Sequence, residues 1–316
     1  MHMSKKFLAA SAALAVSLGV AGCGGSSGES GSVSQDLEGV SLTVGSKDFT
    51  ENILLGKMFL KAVEANGAEV SDKTNLGGSA VNRAALISKK IDMTPEYQGT
   101  GWTNYLKRDT ATAIKDPKKF YEKVAAEDLK KNGVKWIGTS PFNNTYGFAG
   151  SPEVAEKNGG AFDLQGMADY LKANPSAKVC METEFPDRPD GLILFEKATG
   201  YKLPASQTQI LDTGLIYTET AKGKCDFGEV FTTDGRITGL KLSLVEDPGV
   251  FVLYNASFTM LDAEYKKHAE VYDKLASDIL TPLDNEKMTA LNAQVDVDGT
   301  PADKVAEDYL KEQGIL

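Results

Sequence analysis

Histidine is nearly missing from this chain, with two in 316 residues. His2 lies close to the start, and His268 falls in the polar run Tyr265-Lys-Lys-His268-Ala-Glu270, where a solvated surface role is expected. That scarcity excludes HExxH zinc centres, Ser-His-Asp triads and Cys-His dyads. The glycine-rich runs Gly77-Gly78-Ser79 and Gly159-Gly160 fit neither GxGxxG nor a P-loop, so neither a nucleotide cofactor nor a metal is indicated. Basic residues are also in deficit: 34 Lys+Arg against 44 Asp+Glu give −10, and removing Lys5 and Lys6 with the leader described below leaves 32 against 44, or −12. An acidic surface repels phosphate backbones, which argues against a nucleic-acid partner. After residue 25 no apolar run approaches the ~20 residues that span a bilayer, so the mature chain is expected to be soluble apart from any tether.

The N-terminus supplies such a tether. Residues 1–22 read as an export signal: Lys5 and Lys6, an apolar stretch from Phe7 to Val20 too short to span, then small residues. Val20-Ala21-Gly22-Cys23 resembles the lipobox of bacterial lipoproteins, which implies lipidation of Cys23 and anchoring to the outer face of the cytoplasmic membrane. Residues 23–39, with Gly24-Gly-Ser-Ser-Gly-Glu-Ser-Gly-Ser32, read as a flexible tether. Cys180 and Cys225 lie in strand-like runs, and in an exported protein they are candidates for a disulfide, with two separate buried thiols as the alternative.

Beyond the tether, strand-like runs alternate with amphipathic helices. Ser41–Val44 reads as a strand, with a helix capped by Thr50 behind it; Ser79–Ser88 as a helix, with a strand Ile91–Thr94; and a helix from Asp116-Pro117 to Gly133, with a strand Val134–Ile137. The pattern repeats in strands near 146–149, 177–181, 207–211 and 225–230, and the last helix reads as opened by a capping box, Thr300-Pro301-Ala-Asp303. Two α/β units, each with a mainly parallel sheet flanked by helices, imply a ligand cleft between them at the carboxyl ends of the strands.

Six segments in order carry a resemblance: Gly45-Ser-Lys-Asp-Phe-Thr-Glu51, Leu76-Gly-Gly78, Pro95-Glu-Tyr-Gln-Gly-Thr100, Glu184-Phe-Pro-Asp-Arg-Pro-Asp-Gly191, Thr232-Thr-Asp-Gly-Arg236 and Val295-Asp-Val-Asp-Gly299. Together they resemble the substrate-binding proteins of osmoprotectant ABC importers, which take glycine betaine, choline, carnitine and related compounds. The resemblance implies a two-lobed type II periplasmic-binding fold, with residues 40–143 and 251–316 as one lobe and 144–250 as the other. It implies a monomer without cofactor that serves a permease and an ATPase on separate chains. It further implies an aromatic box from Tyr97, Tyr146, Phe231 and Tyr254, because a quaternary ammonium has no N–H to donate and is held by dispersion and π faces. Lys47, Thr100 and Arg188 resemble the family's carboxylate-binding group, with Glu184 orienting Arg188 or facing the cation and Asn144 adding a polar contact. This clamp implies a preference for carboxylated ligands. Phe231 departs from the family, which usually has Tyr there.

Two other readings stay open: a surface hydrolase using Glu184 with Asp187 or Asp190, and a passive interaction lipoprotein. Another trimethylammonium compound, such as ergothioneine, is an alternative ligand.

Overall fold

A computed structural model of the protein describes residues 36–316; the export signal, Cys23 and the tether up to residue 35 lie outside the described residues. Ten strands form two five-stranded sheets. The first contains β1 (Ser41–Gly45), β2 (Glu69–Lys73), β3 (Met93–Tyr97), β4 (Val134–Ile137) and β10 (Ala256–Leu261), in the order β2-β1-β3-β10-β4. The second contains β5 (Tyr146–Gly150), β6 (Val179–Met181), β7 (Thr208–Ile210), β8 (Phe227–Phe231) and β9 (Ser243–Leu244), in the order β7-β6-β8-β5-β9.

Each sheet has one strand running against the other four. β10 pairs antiparallel with β3 and β4, and β5 pairs antiparallel with β8 and β9, while β2-β1-β3 and β7-β6-β8 are parallel. The sheets are therefore mixed, where the sequence pattern led us to expect mainly parallel ones. A run of alternating residues carries no direction, so β10 could not be oriented from it.

Helices cover the sheets. The helix Thr50–Ala65 buries Leu54, Leu55, Met58, Phe59, Ala62 and Val63, the helical stripe visible in the sequence, and Phe59 meets Phe258 of β10 at 4.7 Å between ring centroids. Its start differs from expectation: Phe49 occupies the cap position without a side-chain bond, and the Thr50 hydroxyl donates instead to Asp296 at 2.6 Å. The helix Ala302–Glu312 likewise has no side-chain cap, since the Asp303 carboxylate accepts from Lys57 at 2.9 Å. β3 runs on through Pro95 to Tyr97, past the Thr94 end read from sequence.

Two segments join the sheets, 138–145 from β4 to β5 and 245–255 from β9 to β10. They run side by side: Asn143 bridges Asn255, the Asn144 N–H donates to the Tyr254 carbonyl at 3.2 Å, and the Tyr254 N–H donates to Asn143 Oδ1 at 2.6 Å. Cys180, on β6, and Cys225 are joined by a disulfide across a Cα–Cα distance of 5.8 Å. Cys225 precedes β8 instead of lying within a strand.

Candidate functional site

The carboxyl ends of β1, β3, β6, β7 and β8 and the amino ends of the reversed strands β5 and β10 meet at one cavity of about 500 Å³. This is where a sheet of this kind presents its loops to a ligand. Five aromatic side chains line it: Phe49 after β1, Tyr97 ending β3, Tyr146 opening β5, Phe231 ending β8 and Tyr254 just before β10.

These rings form a closed circuit. The centroid distances are 6.0 Å from Phe49 to Tyr97, 6.3 Å to Tyr254, 5.4 Å to Tyr146, 5.5 Å to Phe231 and 4.9 Å back to Phe49. Were the circuit flat and regular, its centre would stand roughly 5 Å from each ring, inside the ~6 Å reach of a cation–π contact. Strand register builds part of it, because Tyr146 and Phe231 are direct cross-strand partners. Gly99 builds another part: a Cβ there would come within 2.6 Å of the Tyr254 ring, so only glycine leaves that ring its place. The four rings expected from sequence are all present. Phe49 was missed, although it stands inside the first of the six matched segments.

The polar residues depart further from expectation. Lys47 lines the cavity, but its Nζ donates to Glu96 Oε1 at 2.6 Å, with both side chains buried. Arg188 does not line the cavity at all. Its guanidinium forks onto Asp190, Nε to Oδ1 and Nη2 to Oδ2 both at 2.9 Å, and Nη1 meets Glu184 at 3.3 Å. Nη2 also donates to the Thr100 and Tyr254 hydroxyls, each at 3.3 Å, so Arg188 ties β3's loop to the wall behind Tyr146, whose ring centroid lies 5.3 Å away. The expected clamp is thus already engaged: each of its two cations holds a carboxylate of the chain. Sequence spacing missed this because Asp190 is only two residues from Arg188 and Glu96 is 49 from Lys47.

Asp190 is fully buried against Arg188, Thr103 and Tyr254, which leaves it unavailable as half of a hydrolytic pair with Glu184. Asn144 lines the cavity, yet its amide donates to Glu51 at 2.9 Å and accepts from the Thr233 N–H at 3.2 Å.

Two buried glutamates back the rings. Glu51 accepts from the Tyr97 hydroxyl at 2.9 Å, Asn144 at 2.9 Å, the Thr233 hydroxyl at 2.5 Å and Asn292 at 3.1 Å. Burial raises its pKa despite those four donors. Glu229, on β8, accepts the Glu182 N–H at 3.0 Å through one oxygen, while the other has no partner. Burial first, then the neighbouring Glu182 charge, push it up to about 8.

Residues 40–312 match the family described as the substrate-binding domain of ABC-type glycine betaine transport systems. The glycine betaine-binding protein YehZ of Escherichia coli (strain K12) is 34% identical over 292 residues, covering 89% of this chain and 94% of that protein. The carnitine transport binding protein OpuCC of Listeria monocytogenes serotype 1/2a (strain 10403S) is 28% identical over 323 residues, covering 98% and 97%. Among solved structures, that of a glycine betaine/carnitine/choline ABC transporter aligns with a TM-score of 0.68 at 25% identity, covering 87% of this chain and 99% of that one. Apo YehZ aligns with a TM-score of 0.64 at 33% identity over 87% and 99%. Matched over nearly all its described length, the chain belongs to the family of substrate-binding domains of ABC-type glycine betaine transport systems.

Proposed function

We propose that this protein captures a quaternary-ammonium solute outside the cytoplasm and delivers it to an ABC permease, with the trimethylammonium head held inside the circuit of Phe49, Tyr97, Tyr146, Phe231 and Tyr254. The observation that carries the reading is the closure of that circuit around one cavity, which would surround with aromatic rings a cation that cannot donate a hydrogen bond. Lys47, Thr100, Asn144 and Glu184 line the same cavity as its polar contacts, and Arg188 braces the wall behind it.

Residues 40–143 with 251–316 act as one lobe and 144–250 as the other, the paired segments between the sheets serving as hinge, so that closure and capture are one event. The protein works as a monomer tethered through lipid on Cys23, without cofactor or catalysis, and its permease and ATPase are separate chains. Titration calorimetry with choline, glycine betaine and carnitine tests the reading. Tyr97→Ala and Tyr146→Ala are each expected to weaken binding by about 1–2 kcal/mol with the fold retained. Unchanged affinity in both would remove the aromatic box.

A further inference from the structure

The cavity's charges bear on which quaternary ammonium it selects, a question that rests on the reading above. Betaines carry a carboxylate beyond the trimethylammonium head, and choline carries a hydroxyl. A carboxylate leaving water needs a free cation or several free donors. Lys47 is the one cation among the lining residues, and Glu96 already holds it, itself completed by the Tyr97 N–H at 2.7 Å and the Tyr105 hydroxyl at 2.5 Å. Arg188 has given its forked edge to Asp190, and its remaining nitrogen faces Glu184 and Ser79. The Asn104 amide oxygen, in the orientation that satisfies both groups, accepts from the same guanidinium at 2.8 and 3.1 Å.

Carboxylates, by contrast, open onto the cavity. Asp48, Glu182, Glu184 and Asp212 all line it. Asp48 and Asp212 stand exposed, and Glu182 lies beside the buried Glu229, whose one hydrogen-bond donor is the Glu182 N–H and which feels Arg188 only at a distance. A negative field inside a concave, partly dry site attracts a net cation and rejects an anion. It also offers acceptors for a hydroxyl and no unengaged side-chain cation for a carboxylate.

We propose that this cavity selects quaternary ammonium ligands of net positive charge with a hydrogen-bond donor on the tail, the choline type, over zwitterionic betaines. This reverses the preference implied by a carboxylate clamp, because the clamp's cations are spent within the protein.

Parallel calorimetric titrations of the full-length protein with choline and glycine betaine test it. Choline is expected to bind at least tenfold more tightly. In Glu184→Gln/Asp212→Asn, two partly or fully exposed positions, the ratio is expected to narrow at least threefold, chiefly by weaker choline binding; a thermal unfolding scan checks that the variant is folded. Glycine betaine binding as tightly as choline, or more so, overturns the selectivity while leaving capture of quaternary ammonium standing. A ratio unchanged in the folded variant overturns the role of the acidic lining. Binding of neither ligand overturns both this inference and the function it rests on.

Discussion

Glu51 and Glu229 back the same cavity from opposite sheets, both buried, and their surroundings differ in kind. Glu51, at the start of the helix behind β1, has four donors drawn from three parts of the chain: Tyr97 and Asn292 on its own side, Asn144 from a connecting segment and Thr233 after β8. Glu229 has one backbone donor and a carboxylate neighbour. The first is a fastening between the two halves of the molecule. The second is a place where a proton is kept because burial and the Glu182 charge outweigh one backbone donor and the distant Arg188.

Removing the fastening gives the largest expected effect. Glu51→Ala leaves four buried donors without an acceptor, and a loss of about 3–5 kcal/mol in folding stability is expected by denaturant titration. A loss of similar size on the Glu229 side comes from the disulfide: Cys225→Ser opens a loop with a sequence separation of 45. It is expected to cost about 4 kcal/mol, read in the same assay with and without reductant.

Next comes Glu229→Gln, and its effect depends on pH. The folded-state pKa is raised from 4.5 to about 8, so the folded protein binds the extra proton. The contribution to stability is therefore full below pH 4.5 and is lost as pH rises to about 8. Glutamine is neutral throughout, so wild type and variant should melt alike near the lower limit. The variant should be more stable at the upper one, by on the order of a few kcal/mol, and so melt higher. Parallel melting curves at every pH would assign the pH response to other groups. The smallest change, Tyr97→Phe, removes one of Glu51's donors and keeps the ring; about 1 kcal/mol of stability should go. Ligand affinity should barely move, where Tyr97→Ala weakens it by about 1–2 kcal/mol.

These contrasts mark how far the sequence could be read. Tyr97 stood inside one of the six matched segments and Phe231 directly before another, and with Tyr146 and Tyr254 they all reach the cavity. Phe49 and Glu51 stood in one too, but a lone ring and a lone carboxylate in a loop give no sign of which way they face. Lys47 and Arg188 were recognised by type, yet their partners Glu96 and Asp190 follow from tertiary placement alone. The alternation of strands and helices was legible, and the direction of β5 and β10 was not, because a two-residue period reads the same from either end.

The position of β10 has a consequence for how the molecule is made. It lies between β3 and β4, pairing Phe258 with both Pro95 and Ile137, yet it follows them by more than a hundred residues. A chain emerging amino end first, across a membrane as from a ribosome, presents residues 146–244, all five strands of the second sheet, before β10. The second sheet can therefore assemble as a contiguous stretch while the first remains split, with facing edges of β3 and β4 unpaired. Contacts of such long sequence separation are expected to make closing that gap the slow event in folding. Tyr254 takes its place in the cavity wall only then, so the ability to bind ligand is acquired last.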